Sequence, residues 1–584
     1  MKSWKPIIQC CLIIAALLFQ GIVAQRPEMN GERNENASKN GNSPNDPPGP
    51  CEQLIDVPGN ANGLHRRCDA IGAGGGAARG DFNGDGIADL AIGVPFEDQD
   101  GVNAVGGVNI IYGSSAGLTS ASDQFFDMAS FGYSYQSNAH FGWALAAGNF
   151  NGDDFSDLAI GMPDLDLGSD ANSGAVVVLN GSSSGLDLST ESNVPSITAN
   201  LRGRTGAALV WANFNGDDFD DLAVGSPNAT VPGDGFACSR LAFDVPNAGK
   251  VEVLYGSGQG LSTFGGQVFR QGACDFFEGV GIGDTPEEGD GFGASLASVN
   301  GDLVIGAPFE DLGLFDKQDA GMIHLLRGLS SGLDTFPTQI ITQDTPGVGG
   351  GAETGDQFGR VLHGGKFGKD TDRRDALAVG IPFEDLLDNT ADDAGAVQIF
   401  FAGTGNDVVT TSGSLFIGQS NLPSVAGEDG DLFGWSLASG DFDGDNRADL
   451  AVGSPGEDFG GLNSAGIVNV LYGSANGPSL TRVQTWHQDS GGILDVAEPG
   501  DQFGYAVSAW NFGKDSKADL AIGVPFEDLA STITDTLQQD AGAVHLLYGA
   551  VGGLSSAGNQ FWNQDSSGIN DAVQVGDHFG QVLY

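Results

Sequence analysis

Asp81-Phe82-Asn83-Gly84-Asp85-Gly86-Ile87-Ala88-Asp89-Leu90 decides the reading of this 584-residue chain, because the chain writes it again. It recurs as Asn149-Phe150-Asn151-Gly152-Asp153 through Asp157-Leu158, and as Asn213-Phe214-Asn215-Gly216-Asp217 through Asp221-Leu222. A further copy runs from Asp441-Phe442-Asp443-Gly444-Asp445 to Asp449-Leu450. Oxygen-bearing side chains at positions 1, 3, 5 and 9 of a tight glycine-containing loop suit a hard divalent cation, and Ca²⁺ tolerates such flexible all-oxygen cages best. Repetition at intervals of 64 to 87 residues says that one supersecondary unit has been copied.

Outward from the loop, each copy has one grammar. A Phe-Gly pair opens it at Phe141, Phe292, Phe358, Phe433 and Phe503, with Thr205-Gly206 in the third copy. A small-residue strand, the acidic loop and a strand such as Asp157-Leu158-Ala159-Ile160-Gly161-Met162-Pro163 follow. An acidic hairpin then leads to a third strand such as Gly174–Leu179, and a Gly-Ser-rich turn such as Tyr112–Leu118 to a fourth. Ninety-four glycines and 17% charged residues also point to short strands and turns over helices. Four antiparallel strands per copy, with repeats starting near residues 70, 141, 205, 292, 358, 433 and 503, predict an all-β, seven-bladed β-propeller spanning residues 51–584. Glycines on the innermost strands are expected where backbones crowd the central axis.

The Phe-Gly opening, the Asp/Asn loop and the closing Gly-x-Pro (Gly93-Val94-Pro95, Gly306-Ala307-Pro308, Gly380-Ile381-Pro382, Gly453-Ser454-Pro455, Gly523-Val524-Pro525) resemble the FG-GAP repeat of integrin α-subunit propellers and their bacterial relatives. The resemblance covers about residues 70 to 584 and implies Ca²⁺ between the first and second strands of certain blades. It also implies that ligands and partners meet the opposite face. The first copy has Ala73-Gly74-Gly75-Gly76 where Phe-Gly belongs, and a surplus opening, Phe579-Gly580, stands near Tyr584. Either residues 577–584 supply the inner strand of blade 1, which is the expectation, or the sequence is cut inside a longer protein.

The loops differ in ligand supply. Copies 1 and 6 are fullest, with Asp81, Asn83, Asp85 and Asp89, and with Asp441, Asp443, Asp445 and Asp449; Ile87 and Arg447 would add backbone carbonyls at position 7. Copies 2 (Asn149, Asn151, Asp153, Asp157) and 3 (Asn213, Asn215, Asp217, Asp221) lose one charge each. Copy 7 keeps Asn511, Asp515 and Asp519 but has Gly513 at position 3. Copy 4 collapses to Ser298–Leu303, and copy 5 carries Lys366, Arg373 and Arg374, so neither is expected to bind. That predicts four Ca²⁺ sites with copy 7 as a fifth candidate. Metal-free Asx turns would use the same residue types, but three carboxylates about 5 Å apart repel by roughly 3 kcal/mol per pair at an effective dielectric of 20.

A second acidic set lies on the opposite face: Glu97-Asp98, Glu310-Asp311, Glu384-Asp385 and Glu527-Asp528, facing Asp319, Asp393 and Asp540 across hairpins, together with Asp290, Asp356, Asp501 and Asp577 before the Phe-Gly pairs. Turn capping is the expected role, a polar ligand face the alternative. Trp143, Trp435 and Tyr505 each follow a Phe-Gly; they are expected to fill core, or else to form an aromatic rim suited to a sugar or an Arg/Lys side chain.

Residues 1–24 have the order of a secretory signal peptide, cleaved after Ala24, and residues 25–50 are too polar to fold. Cys51, Cys68, Cys238 and Cys274 remain in an oxidising compartment. Of three pairings, Cys51–Cys68 with Cys238–Cys274 is expected, because each pair flanks one loop-rich insertion. Asn180-Gly181-Ser182 and Asn228-Ala229-Thr230 are glycosylation sequons in a eukaryotic host. A net charge of −52 excludes phosphate-led nucleic-acid binding, and no segment after the signal peptide is long and apolar enough to span a membrane. Neither a nucleophile elbow nor a P-loop occurs. The expected function is a secreted, non-enzymatic binding or adhesion module for an extracellular protein or glycan. The alternatives are a lectin-like propeller and a polysaccharide-active enzyme.

Overall fold

The computed structural model describes residues 80–194, 203–232, 244–272, 280–313, 317–334, 338–370, 374–386, 391–423, 426–530 and 537–584. The signal peptide, the linker, Ala73–Gly76, all four mature cysteines and Arg373 lie outside the described residues. Seven four-stranded antiparallel sheets form the blades, two-stranded ribbons attach to blades 4 and 7, and a short parallel strand, Val280–Ile282, extends blade 3. The chain is an all-β seven-bladed propeller. No helix among the described residues is long and apolar enough to cross a membrane.

Within a blade the strand environments follow from position. The second strands, Leu90–Val94 in blade 1 and Asp157–Met162 in blade 2, are buried along their whole length because a neighbouring blade packs on each side. Outer strands such as Thr119–Asp127 reach solvent in the middle and are buried only at one end. Each hydrophobic core therefore lies between blades: Val108, Ile110, Phe141, Ile160 and Val177 form the one shared by blades 1 and 2.

The Phe-Gly motif is the staple between blades. The N–H of Phe141, Phe292, Phe358, Phe433, Phe503 and Phe579 donates at 2.9–3.0 Å to the carbonyl of the residue that precedes the third strand's opening glycine in the previous blade (Val105, Ala248, Ala320, Ala394, Ala465, Ala541). All six rings are fully buried. Thr205 makes the same backbone bond to Ser173. The glycine of Gly-x-Pro completes the contact: a Cβ on Gly93 would lie 2.2 Å from the Gly142 carbonyl oxygen, and one on Gly453 2.1 Å from that of Gly504. The glycine requirement thus falls on the second strand facing the next blade, and on the inner strand at Gly364, where a Cβ would lie 1.9 Å from the Ser298 carbonyl oxygen, because that is where two backbones meet.

Inner strands of blades 2–7 are Ala144–Gly148, Ala208–Ala212, Ser295–Val299, Val361–Gly365, Ser436–Gly440 and Ala506–Trp510. Blade 1 takes its inner strand from the other end of the chain: Val582–Leu583 pairs antiparallel with Ile92–Gly93, and Tyr584 exchanges both backbone bonds with Ala91. In blades 2, 3, 6 and 7 the inner strand starts on the Phe-Gly face and ends at an acidic loop, so the two candidate sites occupy opposite faces.

Candidate functional site

The acidic loops fold on their own side chains. In blade 1 the N–H groups of Gly84 and Asp85 donate to Asp81 Oδ1 and that of Gly86 to Oδ2; Asn83 accepts from Asp85 N–H and Asp85 from Ile87 N–H. Blade 6 repeats the pattern with Asp441, Asp443, Asp445 and the N–H of Arg447. In blades 2 and 3 the position-1 side chains of Asn149 and Asn213 accept from Gly152 and Gly216 and donate to the Asp153 and Asp217 carbonyls. Asn151 and Asn215 turn their amides onto Asp153 and Asp217.

Position 9 has a structural duty besides. Asp89, Asp157, Asp221, Asp449 and Asp519 are buried, and each accepts one N–H from the loop's Phe and one from the glycine that ends the third strand. Burial pushes the Asp89 carboxyl up to about 8 and the other four to about 7, with nearby loop carboxylates adding to the shift. Such loops concentrate negative charge that is poorly solvated, the condition a divalent cation relieves.

Blade 6 brings its carboxylates closest: oxygens of Asp441, Asp443 and Asp449 all lie within 4.8 Å of one another. That is about the diameter of a Ca²⁺ oxygen shell, with ligands at roughly 2.3–2.6 Å, so the donor set fits the ion. Arg482 also reaches Asp443, at 2.5 Å, and Arg447 bonds Asp445 and Asp370. In blade 7 Lys517 Nζ sits 2.6 Å from Asp515, an internal cation at a loop already short of a ligand. The loops of blades 4 and 5 are tied together: Asn300 N–H donates to Asp375, and Asp375 N–H to Asn300 Oδ1. Blade 5 has Ala376 where the strand register demands the position-9 aspartate.

On the opposite face, Asp98, Asp311, Asp385 and Asp528 each accept the N–H that closes their hairpin, from Ala104, Asp319, Asp393 and Asp540. Asp290, Asp356, Asp501 and Asp577 accept the N–H three residues upstream. The glutamates are internal. Glu97, Glu310, Glu384, Glu457 and Glu527 are buried, and each accepts from a glutamine at the end of the preceding blade's outer strand: Gln564, Gln271, Gln343, Gln419 and Gln488. Burial and neighbouring aspartates push Glu97 up to about 10, Glu310 and Glu527 to about 9, and Glu384 and Glu457 to about 8. These acids are blade-junction groups, not an open ligand surface. The glutamine partners were not legible as a set, because no local motif marks them.

Trp143, Trp435 and Tyr505 do not fill core. They are partly exposed and line an axial cavity of about 430 Å³, with Arg360, Gln581 and Val582 among the other walls. The residue after Phe-Gly lines this cavity in six blades: Gln581 in blade 1, Trp143 in blade 2, Ala294 in blade 4, Arg360 in blade 5, Trp435 in blade 6 and Tyr505 in blade 7. Ala207, which follows Thr205-Gly206 in blade 3, is not among its walls. Comparing that one position across all copies would have revealed Arg360. Toward the acidic-loop end Trp211 Nε1 donates to Tyr584 Oη at 2.5 Å, Tyr584 donates to the Ala147 carbonyl, and Trp510 packs beside the Tyr584 ring.

Residues 73–110, 141–179, 433–471 and 503–547 match the FG-GAP repeat. These are blades 1, 2, 6 and 7; the unmatched copies are those with Thr205 or with the altered loops of blades 4 and 5. The chain is 37% identical over 160 residues to phosphatidylinositol-glycan-specific phospholipase D of Rattus norvegicus, covering 27% of this chain and 18% of that protein. It is 25% identical over 496 residues to the Dictyostelium discoideum protein of that name, 76% of this chain and 48% of the relative. It is 24% identical over 242 residues to integrin alpha-5 of Xenopus laevis, 39% of this chain and 18% of the relative. The chain thus spans at most about half the length of these relatives.

Proposed function

From a chain that carries FG-GAP repeats and closes as an integrin-α-like propeller, we propose a secreted, Ca²⁺-stabilised binding module that engages an extracellular protein or glycan on its Phe-Gly face. The observation that carries the cation is the Asp441–Asp443–Asp449 cluster. Asp81, Asn83, Asp85 and Asp89 would hold a second ion, and the Asn149 and Asn213 loops two weaker ones. Bound Ca²⁺ would neutralise the loop carboxylates and lock the first two strands of each blade together, a clamp and not a reaction centre. The thermal midpoint in Ca²⁺ and in chelator tests this, since an ion that binds only the folded state must raise it. An unchanged midpoint removes the metal from the proposal.

The relatives named phospholipase D favour a second reading, that the chain takes part in cleaving a phosphatidylinositol-glycan anchor. Of the histidines available for such chemistry, His324 and His545 are fully buried and burial depresses both to about 3, so they serve as neutral core. Incubating the chain with an anchored protein decides between the readings: no release is expected. Release abolished by one Asp→Asn change outside the cation loops would replace binding with catalysis.

A further inference from the structure

The axial cavity holds the one feature that the cation loops and the repeat pattern do not explain. Aspartate and glutamate outnumber lysine and arginine 76 to 24, so an arginine finds a carboxylate easily. Arg204, Arg327, Arg447 and Arg482 each hold one. Arg360, half-buried in the cavity wall, has none within 4.0 Å among the described residues. Its Nη1 donates to Gln357 Oε1 at 2.9 Å, and its guanidinium lies over the rings of Phe383 and Trp435, 5.5 and 5.6 Å from their centroids. One of five N–H donors is thereby used and the guanidinium plane is fixed by stacking. Burial lowers the Arg360 pKa, the mark of a guanidinium charge that is poorly solvated and that an incoming anion would stabilise.

The rest of the cavity is built for a small ring. Trp435 and Tyr505 pack 5.3 Å apart, and Trp143 lines the same cavity from blade 2 with the Arg204 guanidinium over one face of its ring, 5.2 Å from the centroid. Ala294, the equivalent residue of blade 4, is the smallest side chain of the wall and lies there with Pro308 and Phe309. Gln581 donates its amide to Tyr505 Oη at 3.0 Å, while its buried Oε1 has no hydrogen-bond partner within 3.5 Å and stands near the His578 ring. An orphaned buried acceptor is costly unless a ligand donor meets it. A volume of about 430 Å³ lies within the usual small-molecule range of roughly 300–1,000 Å³. A cationic guest is disfavoured, since Arg360 already places a positive charge over two of the aromatic faces.

We propose that this cavity is a receptor for a carboxylate-bearing sugar, with Arg360 holding the carboxylate, Trp435 and Trp143 stacking on the pyranose C–H face, and Gln581 Oε1 accepting a hydroxyl. The proposal rests on the binding-module reading and narrows it to an acidic glycan end group. The required chemistry is a planar anion for the guanidinium fork, a polarised C–H face for the π clouds and a hydroxyl donor, which a hexuronate combines in one ring.

The test titrates the Ca²⁺-loaded full chain with methyl glucuronide, following tryptophan fluorescence and calorimetry. Methyl glucoside, N-acetylglutamate amide and inorganic phosphate serve as the other arms. Saturable glucuronide binding is expected, at least about ten-fold tighter than each of the other three probes, the equivalent of one charge-assisted hydrogen bond. Arg360→Gln should weaken it by a similar factor without moving the thermal midpoint, and Arg360→Lys should recover only part. Ala294→Trp should block the cavity independently. Equal binding of glucoside overturns the role of Arg360, and equal binding of glutamate or phosphate overturns the sugar. No glucuronide binding, with a neutral glycan or a protein still captured, overturns the cavity assignment while leaving the binding module standing.

Discussion

Asp443→Asn is the sharpest probe of the clamp, because its effect should depend on Ca²⁺. The substitution removes one of the three carboxylates whose oxygens lie within 4.8 Å of one another. At that spacing each pair repels by roughly 3.5 kcal/mol at an effective dielectric of 20. Without Ca²⁺ the change relieves repulsion but forfeits the Arg482 ion pair, so the two effects oppose and the midpoint should move little. With Ca²⁺ it weakens a ligand set. For an affinity of about 10⁻⁴–10⁻³ M and 10 mM ion, one site contributes roughly 1.4–2.7 kcal/mol. A body of some 500 residues unfolds with an entropy of about 1 kcal/mol/K, so each kcal/mol is worth about 1 °C. Four sites should therefore raise the wild-type midpoint by roughly 6–11 °C over chelator, and Asp443→Asn should lose about 1.5–3 °C of that rise. Differential scanning calorimetry of both proteins, each with Ca²⁺ and with chelator, completes the cycle. An equal loss in both conditions would refute the argument, since Asp443 would then act only through its hydrogen bonds and Arg482.

The blade junctions give a pH prediction. Glu527, ordinarily near 4.5, is raised to about 9 by burial and then by Asp495 and Asp501. A raised carboxyl stabilises the fold fully below its unfolded value, and that contribution is lost as pH rises through the folded one. In chelator the midpoint should thus fall between pH 5 and pH 9, and Glu527→Gln, which still accepts from Gln488, should flatten the decline; a steeper decline would reverse the assignment. Phe503→Ala removes a fully buried inter-blade ring and should cost about 3–5 kcal/mol, seen as a chemical-denaturation shift; a cost below ~1 kcal/mol would mean the backbone bond to Ala465 alone holds the junction. Deleting Val582–Tyr584 strips the strand paired with Ile92–Gly93, so blade 1 amides should exchange ahead of the rest; unchanged protection there would deny the closure its role.

What could be read from the chain was whatever the chain repeats. Six Phe-Gly openings and Thr205-Gly206 located seven blades because the first N–H of each meets the previous blade in the same way, and a geometric constraint imposed seven times leaves a periodic trace. The acidic loops were legible for the same reason, and those of blades 4 and 5 stood out by breaking the period, where Asn300 and Asp375 tie the two loops together. Two things were hidden. The Glu–Gln pairs join residues some 40 positions apart, or 467 in the case of Gln564 and Glu97, so local spacing carries no sign of them and turn capping was the expectation for the glutamates too. The cavity showed only its aromatic members, as the alternative reading of Trp143, Trp435 and Tyr505, and the rest was hidden by variation: Gln581, Ala294 and Arg360 share their position but not their chemistry. Sevenfold symmetry brings these side chains to one axis, and a ligand smaller than the ring is held only by unlike neighbours. The departure from the repeat is therefore where selectivity resides, just as the adherence to it is where stability resides.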